Sequence, residues 1–252
     1  MNYLIGDIGN TLTKVSILNS NYKITKSYNI ETKKLVNNSH QSIFFKKILL
    51  KNLNNKILFS SVVPTVYKKI KLYLSNKKYK TYEIKDLNYK NIIKLKVDKI
   101  YQIGSDRIAN AIGSYSKYKK NCLIIDFGTA TTFDIVISPG IYLGGVIAPG
   151  VKLSIINLNK ATALLPELKL KSTSKAYGKN TIDALNAGFI WGYQGLINNI
   201  IKKITLSSKT NYKVILTGGY SNLFKKYLNK KCVVDNNITI KGITKIYKDL
   251  LT

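Results

Sequence analysis

The chain has 252 residues, 45 % of them apolar, which is enough for one large domain or two smaller ones and excludes a disordered chain. Its formal net charge is +29, but the lysine pairs (33–34, 46–47, 68–69, 77–78, 119–120, 202–203, 225–226, 230–231) are spread over the whole length. With no basic block and no nucleic-acid-binding motif, the charge reads as a solvated surface and no nucleic-acid partner is expected.

In chain order, the first predicted element is a β-hairpin, "YLIGDIGNTLTKVSIL" (Tyr3–Leu18), two apolar runs joined by a turn rich in Gly and Thr. A third strand is expected at 22–30, a helix at 40–54, a strand in "KILFSSVVP", and a helix at 65–76. "DRIANAIGSYSKY" has apolar positions at 108, 111, 112 and 115, the spacing of a helix. "SYSKYKKN" breaks the pattern near residues 115–121. A second hairpin follows in "CLIIDFGTATTFDIVI" (Cys122–Ile137), then a strand with a Gly-rich exit, "YLGGVIAPG". A long helix is expected over Thr181–Ile204. "KVILTGGYS" reads as a strand ending in Gly218–Gly219, and a helix, a strand and a C-terminal helix close the series. Strands lead and helices follow in each half, an α/β arrangement.

Minor features are soon placed. Cys122 and Cys232 each open an apolar run and show no metal-ligand spacing. His40, the sole histidine, lies in a polar stretch and is expected in solvent. Trp191 reads as a core or subunit contact, and Gly188, Gly192 and Gly195 thin one side of their helix. No apolar run of 18 residues and no basic-then-apolar leader is present, so no membrane contact is expected and the cytoplasm is the expected compartment.

The two hairpins repeat one plan: Asp7 aligns with Asp126, Gly9 with Gly128, and Thr13 with Thr132. The copies start about half a chain apart, which points to two related domains, 1–116 and 117–252. A Gly-rich turn exposes backbone N–H groups to an anion, Thr and Asn add donors, and an Asp at the strand end can hold a cation. Two such turns suit a polyphosphate. Neither GxxxxGK[ST] nor GxGxxG is present, so P-loop and Rossmann readings find no support. Of 12 acidic residues, Asp7, Asp106 and Asp126 fall in Gly/Ser/Thr-rich turns. Arg107 is the only arginine; a guanidinium can grip a carboxylate through two parallel N–H bonds where an ammonium cannot.

The three turns "DIGNT", "DFGTATT" and "LTGGYS" resemble those of the actin-like ATPase superfamily. In more detail, "DIGNT" (Asp7–Thr11), "GSDR" (Gly104–Arg107), "DFGTATT" (Asp126–Thr132), "GGVIAPGVKLS", "TALLP" and "GKNTIDALNAGFIWG" resemble the signatures of type III pantothenate kinases, in that family's order. The resemblance implies two duplicated actin-like (ribonuclease H-like) domains, each a mixed sheet flanked by helices. It implies ATP-dependent phosphorylation of pantothenate, the first step toward coenzyme A, with Mg²⁺, a monovalent cation (K⁺ or NH₄⁺) and a homodimer. Asp7, Ile8, Gly9, Asn10, Thr11, Leu12, Thr13 and Lys14 would form the first ATP phosphate loop, and Thr129 a second ATP contact. Asp126 would ligate the monovalent cation. Gly104, Ser105, Asp106 and Arg107 would line the pantothenate site, with Asp106 as proton acceptor, and Thr181 would reach pantothenate from the later helix. Where the family often has Tyr and Pro, seven and four residues before the Gly of GxDR, this chain has Val97 and Ile100. A non-enzymatic regulator of the same fold, or a kinase for another small hydroxyl acceptor, are the alternatives; the retained Asp106 and Arg107 argue against loss of activity.

Overall fold

The computed structural model describes residues 1–49 and 52–252. The largely buried runs β1 (Asn2–Ile8) and β2 (Leu12–Leu18) and the more exposed β3 (Ile24–Glu31) form an antiparallel meander. There follow α1 (Asn38–Lys46), β4 (Leu53–Ser61), α2 (Pro64–Ser75), β5 (Lys80–Glu83) and the two-residue β6 (Lys94–Leu95). Next come α3 (Ser105–Tyr118), β7 (Cys122–Phe127), β8 (Ala130–Ile137), β9 (Ile141–Pro149) and α4 (Val151–Lys160). The series ends with α5 (Thr181–Ser208), β10 (Lys213–Gly218), α6 (Ser221–Phe224), β11 (Cys232–Val234) and α7 (Ile238–Leu250).

The chain forms two compact units. One comprises Met1–Lys119, Gly140–Tyr142 and Asn237–Thr252; the other comprises Lys120–Pro139 and Leu143–Asn236. The first holds a sheet in the order β3-β2-β1-β4-β5, with β1, β4 and β5 parallel to one another. The other sheet has six strands in the order β6-β9-β8-β7-β10-β11, and its run from β9 to β11 repeats the first, with β7 antiparallel to β8 and parallel to β10. The internal echo thus extends from two hairpins to two five-strand plans, and the α/β class with two mixed sheets is as expected. The segment Asn237–Thr252, which the sequence reading placed with the second half, packs in the first unit.

Each unit has its own core. Leu4, Ile8, Val15, Phe45, Ile57, Phe59 and Ile70 fill the first. Leu123, Ile125, Phe133, Ile190, Ile197, Leu216 and Phe224 fill the second. A fully buried side chain of this size contributes about 1.5–3 kcal/mol. In the first unit α3 lies against α7 so closely that a Cβ on Gly113 would stand 2.9 Å from the Gly242 nitrogen.

The helix expected over 40–54 ends at Lys46, because Leu53 pairs with Asn2 and draws the following residues into β4; positions 50 and 51 of that expectation lie outside the described residues. The α4 helix and β5 had no counterpart in the sequence reading. Among the described residues no helix is long and apolar enough to cross a membrane.

Candidate active site

The turn between β1 and β2 is fastened at its base. Gly9 N–H donates to Leu12 O at 3.1 Å. Thr32 donates its hydroxyl to Gly9 O at 2.6 Å, so the buried Thr13 donates to Thr32 Oγ1 at 3.0 Å. Ile8 and Thr13 face the core, which leaves Asn10, Thr11 and Leu12 exposed at the tip. Asp7 and Lys14 stand opposite each other across the hairpin. Lys14 is half-buried and donates to Asn237 Oδ1 at 2.7 Å. Desolvation lowers its pKa, and the Asp7 charge works against that shift.

Gly104 caps α3, so Ser105, Asp106 and Arg107 form the first helical turn. Arg107 N–H donates to Asp106 Oδ1 at 2.8 Å. Burial raises the Asp106 pKa; the Arg107 N–H, its guanidinium and the Lys85 ammonium pull the other way. A side chain at position 104 would run into the Asp106 carboxylate, and its Cβ would lie 3.3 Å from Val62. Val62 in turn donates its N–H to Ile8 O at 3.1 Å. The first hairpin and the GSDR turn are therefore neighbours within the first unit. Two residues the sequence reading passed over support them: Thr32, and Glu83, whose carboxylate accepts from Ser105 Oγ. Glu83 carried one signal, that it is among only 12 acidic residues.

In the second unit, Gly128 and Thr129 form the exposed turn between β7 and β8. The cap of α4, Gly150, presses on that turn: a Cβ there would overlap the Thr129 carbonyl oxygen and lie 2.9 Å from that of Gly128. Gly218 adopts φ +84°, and its Cβ would be 2.7 Å from Asp126 Oδ1 and 2.6 Å from Phe127 O. Only glycine suits such a position. The β10 exit thus lies on Asp126, and Gly219 N–H donates to Phe127 O at 3.1 Å. Among the described residues no group of three or more His, Cys, Asp or Glu could hold a metal ion. Asp126 is the one carboxylate of this turn, and an isolated carboxylate oxygen is a hard donor of the kind that alkali and alkaline-earth cations take.

Thr181 is the exposed first residue of α5, on an element separate from the Asp126–Thr129 turn. Its N-cap, Asn180, accepts from Asp183 N–H at 2.9 Å. Thr181 also lines an apolar groove of about 530 Å³ with Leu158 of α4 and Leu185, Gly188, Gly192 and Leu196 of α5. Near the GSDR turn, Val97 is half-buried and Ile100 is exposed. His40 is exposed, as expected. Trp191 donates its Nε1–H to Lys175 O at 2.9 Å and meets Tyr227 edge-on.

The sequence profile of the type III pantothenate kinase family matches residues 3–203. The chain belongs to the type III pantothenate kinase family. A type III pantothenate kinase of Pelagibacter ubique is 47 % identical over 242 residues, 95 % of this chain and 96 % of the relative. Two solved structures share the fold. A protein of Campylobacter jejuni described as a Baf family transcriptional activator gives a TM-score of 0.61 at 23 % identity, over 98 % of each chain. An inorganic polyphosphate/ATP-glucomannokinase of Arthrobacter sp. strain KM gives 0.51 at 12 % identity, over 97 % of each. The fold is thus that of the actin-like kinases, and the pantothenate kinase uses ATP to phosphorylate pantothenate in coenzyme A biosynthesis.

Proposed function

We propose that this pantothenate kinase works through Asp106 as the group that accepts the proton of the pantothenate hydroxyl when it attacks the γ-phosphorus of ATP. The observation that carries this reading is the Asp106 carboxylate itself. It is fixed by the Arg107 N–H at the head of α3 and made more basic than an ordinary Asp by burial. A base with raised proton affinity is suited to a hydroxyl acceptor near neutral pH. Gly104 and Ser105 shape the acceptor turn, and Arg107, the sole arginine, grips the pantothenate carboxylate in a two-bond fork. Thr181, the first residue of α5, is assigned as a further pantothenate contact.

The residues from Asp7 to Lys14 are assigned to the ATP phosphates, through backbone N–H groups and the Lys14 ammonium, and Thr129 is assigned as a further ATP contact. Mg²⁺ would be held chiefly by the phosphates and water, as this ion usually is in kinases. Asp126, with the carbonyls beside it, would hold K⁺ or NH₄⁺, whose positive charge favours the developing phosphoryl anion. The apolar groove along α4 and α5 supports a homodimer with a second copy of the chain over that face. The cytoplasm, where ATP is supplied, is the proposed compartment.

The test is Asp106→Asn. Turnover should fall about 10²–10⁴-fold while ATP binding by calorimetry is kept. Wild-type turnover in the Asn variant would overturn the assignment.

A further inference from the structure

Glu83 ends β5, is 7 % exposed, and has no part in the chemistry proposed above. Its carboxylate collects three donors. Oε1 accepts the Ser105 hydroxyl and the Ser61 N–H, the latter at 3.2 Å, and Oε2 accepts the Lys85 N–H at 2.6 Å. The Ser105 side chain is fully buried. One side chain therefore ties together the exit of β4, the turn after β5 and the first residue of α3. Ser61 is also the register partner of Ile8, at the foot of the first phosphate hairpin. Glu83 thus spans from β4, the strand paired alongside that hairpin, to the turn that carries Asp106 and Arg107.

Three donors converging from two sides need two acceptor oxygens. A carboxylate has two; an amide has one. In Gln, whichever way the amide turns, an NH₂ group faces a fixed backbone N–H, of Lys85 or of Ser61. A shape-preserving apolar residue would leave all three donors unmet. Burial raises the pKa of Glu83, so its charged form is costly to keep, although the Ser105 hydroxyl and the Lys85 and Ser61 N–H groups offset part of that. Such a cost is understandable where the carboxylate serves the site and not only the core.

We propose that Glu83 is a positioning residue of the acceptor site: through the Ser105 hydroxyl it sets the first turn of α3, and with it the Asp106 and Arg107 side chains that receive pantothenate. The inference rests on the roles given to Asp106 and Arg107 above. Asp106 and Arg107 follow Ser105 directly, so a small displacement of that residue moves both. Positioning errors of this kind act on the acceptor and spare the nucleotide.

The experiment compares Glu83→Gln, Ser105→Ala and the double variant in steady-state kinetics with both substrates, each rate normalised to folded protein from a thermal melt. Glu83→Gln should lower kcat/KM for pantothenate by about 10–100-fold, with the KM for ATP within about twofold of wild type. Ser105→Ala should lower it by about 3–10-fold. The double variant should be no worse than Glu83→Gln alone, since both changes cut one link. A merely structural role would reduce the melting temperature and the folded fraction and leave the pantothenate KM unchanged. That outcome, an equal loss toward both substrates, or additive losses in the double variant would each overturn the inference. If Glu83→Gln does not fold, Ser105→Ala decides alone, and wild-type pantothenate kinetics in it count against the proposal. Asp106→Asn, run alongside, separates the two levels. An inactive Asn variant beside a wild-type-like Glu83→Gln defeats this inference only. An Asn variant with full turnover defeats the Asp106 assignment and this inference with it.

Discussion

Replacing Gly150 by alanine adds a single methyl group at the cap of α4. That methyl would overlap the carbonyl oxygen of Thr129 and stand 2.9 Å from that of Gly128. Both obstacles are backbone, and both belong to the turn assigned to the second ATP contact. Neither can turn aside as a flexible side chain does, so the helix and the turn must separate by about an ångström. A misplacement of about 1 Å in a substrate-positioning group costs on the order of 10²-fold in rate, so kcat/KM for ATP should fall by about 10–100-fold. Overpacking of this kind should also cost about 1–3 kcal/mol of stability. The pantothenate KM should change less than the ATP affinity, because neither Gly104–Arg107 nor Thr181 is among the atoms that the added methyl would meet. Calorimetric titration with a non-hydrolysable ATP analogue, paired with steady-state kinetics at saturating pantothenate, reads both quantities. Wild-type ATP affinity and melting temperature in Gly150→Ala would refute the reasoning, and an equal loss of affinity for both substrates would show that the damage is not local to the turn.

Three further expectations can be checked with the same assay. Asp106 must be deprotonated to accept a proton, so activity is lost as pH falls through its pKa; because burial raises that pKa, the acid limb of kcat/KM should lie above the ordinary Asp value of about 3.9, and a limb at or below it would contradict the assignment. Arg107→Lys keeps the charge but loses the two-bond fork, so kcat/KM for pantothenate should fall by about 10–150-fold with the ATP KM nearly constant; a fully active Lys variant would show that the fork is not used. Activity should require K⁺ or NH₄⁺ with Na⁺ a poor substitute, and equal rates in K⁺ and Na⁺ at matched ionic strength would remove the cation from Asp126.

The parts legible from residues alone were those with a local cause. Apolar runs broken by Gly and Thr mark both hairpins, and the spacing of Ile108, Ala111, Ile112 and Tyr115 marks α3. What stayed hidden had a distant cause. After Phe45 short apolar and polar groups go on alternating with no Gly or Pro among them, so only the pairing of Leu53 with Asn2 shows where α1 has given way to β4. The four residues of β5 are too few for a period, and α4 begins at a glycine with no side-chain cap to announce it. Gly113 and Gly242 lie far apart in sequence, and nothing in either stretch shows that α3 and α7 touch. At the site, the chemistry-bearing turns were readable as motifs, whereas Glu83 was not, because its meaning comes from three donors delivered by three separate segments.

The place of α7 bears on how the protein comes into being. A ribosome delivers Met1–Lys119 well before it delivers Asn237–Thr252, with all of the second unit in between. Until the later segment emerges, the face of α3 around Ala109 and Gly113 has no Gly242 to close on, and Lys14 has no Asn237 to hold. Folding of the first unit is therefore governed by contacts of very long sequence separation, which are slow to form because the intervening loop must close first. The helix that carries the proposed acceptor residues and the hairpin that carries the proposed phosphate contacts are both finished by the same late arrival. A nascent chain can thus complete the second unit before the first, and phosphotransfer begins only after both ends of the first unit have met.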